Sequence, residues 1–230
     1  QKIAAWEILK DLQKKYPMNR LLEGDVGSGK TVVALTGAIQ VAKAGYQSVF
    51  MAPTEVLAQQ HYATITSLLG NPKQIQNPKL QNEIKVALLT SSTEEKAKVK
   101  KTIAAGEADI IIGTHAVIQK DVRFKNLALV IIDEQHRFGV NQRKALVRGS
   151  TLQVPHLLSM TATPIPRTLA LTIYGDLDIS IIKEKPKNRQ KIITKIISPS
   201  QRRAAYKFIR DEVGADRQVF VVCPRIELTD

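Results

Sequence analysis

The chain has 230 residues, room for one α/β core and part of another. It carries 34 Lys and Arg against 21 Asp and Glu, a net charge of +13, which favours a polyanionic partner over an acidic or neutral one. A single cysteine, Cys223, excludes an internal disulfide framework, and no apolar run approaches the ~20 residues that span a bilayer, so no membrane partner is implied.

Lys2–Lys15 has helical spacing and is followed by the short apolar run RLLEG (20–24), read as a strand. A glycine-rich stretch then opens a helix over Gly29–Ala44. QSVFMA (47–52) is the next strand and Glu55–Leu69 the next helix. The polar segment 70–83, with two prolines, reads as an exposed loop. IKVALLT (84–90) is a strand, and Ser92 with Glu95 forms the pattern of a capping box that opens a helix over Thr93–Ala105. ADIIIG (108–113), LALVIID (127–133) and HLLSM (156–160) complete the strands. These runs are continuous rather than alternating, the pattern of strands buried on both faces of a parallel sheet. Strands alternating with helices predict an α/β, doubly wound, mostly parallel sheet.

KEKPKNR (183–189) reads as a basic linker between a first domain, 1–182, and the beginning of a second, 190–230. In that second part KIITKIIS (191–198) and QVFVVC (218–223) read as strands. Between them lies a helix with Ser198 as N-cap, Pro199 at its first position, Gln201 closing the cap and Gly214 at its end. Cys223 reads as a buried small hydrophobe. Residues 183–217 hold eleven basic against four acidic residues, a charge run compatible with either a solvated face or a polyanion contact.

The most specific motif is GDVGSGKT, Gly24–Thr31, which matches G-x-x-x-x-G-K-[ST] between a strand and a helix. Gly27 and Gly29 let backbone N–H groups of the loop, Ser28 included, turn toward one point, where the helix N-terminus adds positive dipole. Lys30 supplies a point charge for the β/γ-phosphates, and the Thr31 hydroxyl is a ligand for Mg²⁺. The partner site is Asp133 and Glu134, two acids at the end of an apolar strand. Burying both without a counter-ion is costly, and a Mg²⁺–nucleotide complex supplies one. Asp133 is assigned to the metal and Glu134 to the attacking water. Composition and spacing thus lead to a Mg²⁺-dependent nucleoside triphosphatase with a basic surface. A small-molecule kinase and a non-catalytic nucleotide switch remain alternatives, though neither a substrate lid nor a reason for Glu134 in a switch is visible.

In order, GDVGSGKT, APTEVLAQQH (52–61), GTHA (113–116), DEQHRFGVNQR (133–143) and TATPIPRT (161–168) resemble the motifs of superfamily-two DNA helicases, and among them the branched-DNA helicases. The transcription-repair coupling translocases are the next most similar. The resemblance covers nearly the whole chain and implies a RecA-like P-loop fold, ATP and Mg²⁺ as cofactors, and DNA as partner. It also implies a bacterial cytoplasmic enzyme with no protein partner, acting as a monomer. Residue by residue, Gln1 resembles the glutamine that reads the adenine edge. Pro53, Thr54 and Glu55, and Gly113, Thr114 and His115, resemble two motifs that touch the DNA backbone. Gln135 and His136 belong to the acid box, and Thr161, Ala162 and Thr163 resemble the motif coupling hydrolysis to strand movement. Second-lobe arginines complete such sites, which implies slow turnover by residues 1–230 alone. Thr54 and Thr114 also read as ordinary helix N-caps. His61 and His156 carry no functional signal and are expected at the surface and at a strand end.

Overall fold

The computed structural model describes residues 1–70, 84–134, 154–163, 177–184 and 192–222. The chain divides into two compact units, Gln1–Lys187 and Asn188–Asp230.

The first unit is built on a seven-stranded sheet. Its strands are β1 (Asn19–Gly24), β2 (Gln47–Met51), β3 (Val86–Leu89), β4 (Ile110–Gly113), β5 (Leu127–Asp133), β6 (His156–Thr161) and β7 (Asp178–Ile182). Their order is β3-β4-β2-β5-β6-β1-β7, and every neighbouring pair is parallel. The described helices of this unit are α1 (Lys2–Asp11), α2 (Lys30–Lys43), α3 (Glu55–Gly70) and α4 (Lys96–Ala105). The doubly wound α/β prediction holds, with a sheet that is wholly rather than mostly parallel.

Successive residues of a strand point to opposite faces, and the core divides accordingly. On β5, Leu129 and Ile131 join Ile8, Ala34 and Ala58 in one cluster, beneath α1, α2 and α3. Val130 and Ile132 join Ile103 and Val117 in the other, beneath α4 and a 3₁₀ turn at His115–Ile118. With both faces covered, no polar alternation is possible. Ile131, Ile111 and Phe50 are fully buried, and each contributes ~1.5–3 kcal/mol by leaving water.

Three local expectations are corrected. The Ser92–Glu95 capping box does not form: α4 begins only at Lys96, and Glu95 at its N-cap makes no side-chain cap bond. Instead Thr90, Ser92 and Thr93 bond among themselves in a turn, and Glu95 pairs with Lys98 at 2.8 Å. Second, β7 was not predicted. Its sequence DISII places polar Ser180 inward, where the hydroxyl accepts a 2.8 Å bond from Arg20, so no apolar run announces it. Third, α1 stops at Asp11 rather than Lys15 because the chain turns there, with Lys14 reaching back to Asp11 at 2.6 Å.

In the second unit the predicted cap is present: Ser198 and Gln201 form a reciprocal capping box, with Pro199 at the start of a 3₁₀ turn that leads into α5 (Arg202–Gly214). The two strands predicted there are not found over their described residues, 192–198 and 218–222. A strand needs a ladder partner, and here Ile192, Ile196, Phe220 and Val222 are exposed among the described residues.

Candidate functional site

Every strand that carries a predicted motif ends at one rim of the sheet. Glu23 lies opposite Thr161, Asp133 opposite Met160, and Met51 opposite both Ile132 and Gly113. Because the strands are parallel, residues 24–31, 52–55, 113–116, 133–134 and 161–163 leave the sheet together, at the carboxyl rim where α/β folds bind ligands. β1 and β5 flank β6, so the glycine loop and the acids stand two strand spacings apart, about 10 Å, with Thr161 between. A cleft of about 580 Å³ lined by Leu12, Tyr46, Val154 and His156 lies at the opposite rim and holds none of the predicted site residues.

The glycine loop has the form of an anion cradle. Gly27 and Gly29 take positive φ of 77° and 90°. Gly29 is the N-cap of α2 and offers no side-chain acceptor to the first turn, where Lys30 and Thr31 lie half-buried. The Ser28 hydroxyl is buried without a hydrogen-bond partner. The Lys30 ammonium donates to the carbonyls of Gly24 and Asp25, at 2.7 and 3.0 Å, across the mouth of the loop. Gln1 lies over the same loop: its amide donates a 2.7 Å bond to the Ser28 carbonyl, and a Cβ on Gly29 would collide with it.

On β5 Leu129 and Ile131 face α1–α3, and Asp133 continues that alternation. Both its oxygens are engaged: Oδ1 accepts the Glu134 N–H at 3.1 Å, and Oδ2 accepts a bond from His61 Nε2 at 2.8 Å. Glu134 has φ 52°, a left-handed conformation costly for a side chain with Cβ and typical of functional sites. Among the described residues no three His, Cys, Asp or Glu side chains gather as a metal cage. That donor set suits Mg²⁺, which takes one or two protein oxygens and completes its octahedron with phosphates and water.

The remaining motifs adjoin these. Thr54 caps α3 through its hydroxyl, which accepts the Leu57 N–H at 3.3 Å, as its ordinary reading predicts. Pro53 is half-buried beside it. Glu55 accepts the Ser92 N–H at 3.1 Å and so ties this turn to the LLTSS segment, 88–92. Ala52 donates to the Gly113 carbonyl at 2.8 Å, joining the second motif to the first. Thr114 is buried at the N-cap of the 3₁₀ turn without a side-chain cap bond, and His115 is exposed. Thr161 is buried, and its hydroxyl meets that of Thr163 at 2.9 Å, with Ala162 in the turn. Gln135 and His136 lie outside the described residues, as does most of 70–83.

Residues 1–172 match the family model described as DEAD/DEAH box helicase. The chain belongs to the DEAD/DEAH box helicase family. Within it, the chain is 50% identical to the ATP-dependent DNA helicase RecG of Aquifex aeolicus, over 99% of the chain and 28% of that protein. It is 49% identical to the RecG of Synechocystis, over 96% of the chain and 25% of that protein. A solved structure of RecG bound to three-way DNA junction superposes with a TM-score of 0.78 at 43% identity, covering 98% of this chain and 29% of that one. The chain therefore spans under a third of the length of these relatives. The sequence resemblance to this helicase group is borne out.

In this helicase lobe, sequence reasoning misplaced one residue of the acid site. His61 is not a surface residue: its side chain is 12% exposed, packs on the ring of Phe50 at 4.6 Å and bonds Asp133. The signal was available. His61 falls on the buried stripe of α3, three residues after Ala58 and four before Ile65. His156 does sit at a strand end, half-buried, its Nδ1 accepting the Met18 N–H at 2.9 Å.

Proposed function

We propose that residues 1–182 are the RecA-like motor lobe of an ATP-dependent DNA helicase of the RecG kind, which remodels forks and junctions. Residues 183–189 are its basic linker and 190–230 the opening of a second lobe. The enzyme acts as a monomer in the bacterial cytoplasm. The observation that carries the reading is the convergence at one rim of the glycine loop, the Asp133–Glu134 pair and two backbone-contact turns, in a chain half identical to RecG sequences. The unit boundary at Lys187 falls within the linker and supports the division.

ATP bound with Mg²⁺ supplies the phosphoanhydride whose hydrolysis drives movement. The protein's part is positioning and charge. Gln1 contacts the adenine edge. The N–H groups at Gly27–Thr31 hold phosphate oxygens, and Lys30 exchanges its loop carbonyls for them. Thr31 and Asp133 would hold the ion, and the Glu134 carboxylate would take a proton from the attacking water. Thr54, His115 and their neighbours contact DNA phosphates, which position the strand without reading its sequence. Thr161 and Thr163, between the glycine loop and the acids, transmit the nucleotide state.

The test is ATP hydrolysis by the complete protein with no DNA, with linear duplex and with a fork. The reading expects stimulation by both, strongest with the fork. Equal stimulation by linear duplex indicates a general duplex translocase of the transcription-repair coupling type. No stimulation removes the motor function.

A further inference from the structure

We propose that His61 is a positioning residue for the acid site: its Nε2–H fixes the Asp133 carboxylate and, through it, the backbone of Glu134. The proposal rests on the ATPase reading above and deepens it.

Asp133 Oδ2 is 2.8 Å from His61 Nε2. An ionised carboxylate can only accept, so the imidazole nitrogen donates. The other oxygen, Oδ1, accepts the Glu134 N–H at 3.1 Å. With one bond on each oxygen the plane of the carboxylate is set. Glu134 depends on that setting, since its amide N–H, and with it the peptide plane that enters Glu134, is oriented by the bond to Oδ1. Removing the His61 donor frees the carboxylate to turn, which loosens the Glu134 amide and moves the carboxylate assigned to the attacking water.

The donor is itself well held. His61 and Asp133 side chains are only 12% and 13% exposed, so water competes poorly for their bond. The imidazole packs on Phe50, whose backbone lies in β2, the strand next to β5. Its Cα belongs to α3, the 16-residue helix that starts at the Thr54–Glu55 turn. A rigid helix thus carries a backbone-contact motif at its first turn and, two turns on, the hydrogen bond to the metal-side acid. Any displacement of α3 on DNA reaches Asp133 without an intermediary.

Three variants of the complete protein test this. His61→Ala removes ring and donor, His61→Phe keeps a ring against Phe50 without a donor, and His61→Gln places an amide N–H at similar reach. Outer-shell partners of metal ligands typically contribute 10- to 100-fold. His61→Ala and His61→Phe are expected to lower fork-stimulated kcat by about that factor and to raise the half-saturating Mg²⁺, while His61→Gln recovers most of the loss. Asp133→Asn combined with His61→Ala should lose no more than Asp133→Asn alone, because the two act as one unit. A readout free of nucleotide accompanies these: hydrogen exchange at the Glu134 amide, expected to accelerate in the Ala and Phe variants and to stay near wild type in the Gln variant. Fork affinity without nucleotide should not change.

The proposal is overturned if His61→Phe matches wild type in kcat and in Glu134 exchange, which would make the ring a packing element. It is equally overturned if His61→Gln falls as far as His61→Ala. A wild-type protein without DNA-stimulated hydrolysis sinks the motor reading instead, and Glu134 exchange then still decides the role of His61.

Discussion

Arg20 of β1 and Asp11 at the end of α1 form a buried ion pair, with the guanidinium Nε and one terminal nitrogen each 2.7 Å from the same carboxylate oxygen. Their side chains are 9% and 4% exposed. The guanidinium also reaches Ser180 of β7 at 2.8 Å, so one side chain joins α1, β1 and the edge strand. Removing one member of a buried pair strands the other's charge, which costs about 3–5 kcal/mol. Lys14 also holds Asp11, at 2.6 Å, so Arg20→Ala is expected to lose less than that range while Asp11→Ala approaches it, read from the denaturant midpoint. Replacing both Arg20 and Asp11 by apolar residues of similar volume should lose much less.

Two groups make this unit less stable in acid, in separate pH windows. Burial pushes the Asp11 carboxyl up, but hydrogen bonds from Lys14 and Arg20 and their charges outweigh it and hold it below its ordinary value. Its contribution is present above the unfolded pKa, about 3.9, and is lost as pH falls below that. His156 is lowered by burial against a smaller upward pull from Asp11. Folding therefore favours the neutral ring, whose Nδ1 accepts the Met18 N–H. The unfolded chain binds the extra proton first, so this contribution is lost as pH falls below about 6.5. Melting temperature should step down as pH falls below about 6.5, then again below about 4. His156→Gln should flatten the first step only, and Asp11→Asn the second only.

Gly29→Ala tests the phosphate cradle. A Cβ there meets the Gln1 amide, and its φ of 90° is one that L side chains rarely adopt. Leaving the left-handed region would rotate the Lys30 N–H away from its neighbours and unseat Gln1 together. Nucleotide titration should show a loss of affinity of tenfold or more. The melting temperature should fall only modestly, reflecting the ~1–2 kcal/mol that an L side chain costs in the left-handed region, because the glycine itself packs no side chain into the core.

The sheet and the glycine loop were legible because each is written locally. Strands β4 and β5, buried on both faces, are uninterrupted apolar runs up to their terminal Gly113 and Asp133, and GDVGSGKT is eight consecutive residues. What escaped depends on contacts distant in sequence. β7 ladders onto β1, where Arg20 gives Ser180 a partner 160 residues away, and His61 meets Asp133 across 72. The strands expected at 191–198 and 218–223 had the right composition, yet β propensity describes a fit to a neighbouring strand. The Ser92–Glu95 cap failed on competition: the Ser92 N–H is taken by Glu55 from another element.

Lys30 and Glu134 are predicted to fail differently. In the proposed mechanism Lys30 supplies ground-state charge to the phosphates, so Lys30→Ala should weaken nucleotide binding and abolish turnover together. Glu134 is proposed to act on the water, so Glu134→Gln should keep nucleotide affinity while kcat falls by ~10²–10⁴. A fluorescent nucleotide titration beside steady-state hydrolysis in the complete protein separates the two. Equal loss of binding in both variants would return Glu134 to a structural role.

Thr54 has two competing descriptions, and one substitution distinguishes them. As a cap, its hydroxyl accepts the Leu57 N–H. As a DNA contact, the same residue faces a phosphate from an exposed position. Thr54→Asp serves the cap as well or better, since Asp is among the preferred N-cap residues and suits the helix dipole. It also sets a negative charge against the phosphate, worth about 1 kcal/mol at 4 Å in water. The variant should keep its melting temperature while fork affinity falls roughly fivefold at low salt, with the deficit shrinking as salt screens the repulsion. Thr54→Ala should lose helix stability, by about 1 kcal/mol, without that salt signature. If Thr54→Asp binds the fork as wild type does at every salt concentration, the residue is a cap alone and the backbone contact lies elsewhere on the rim.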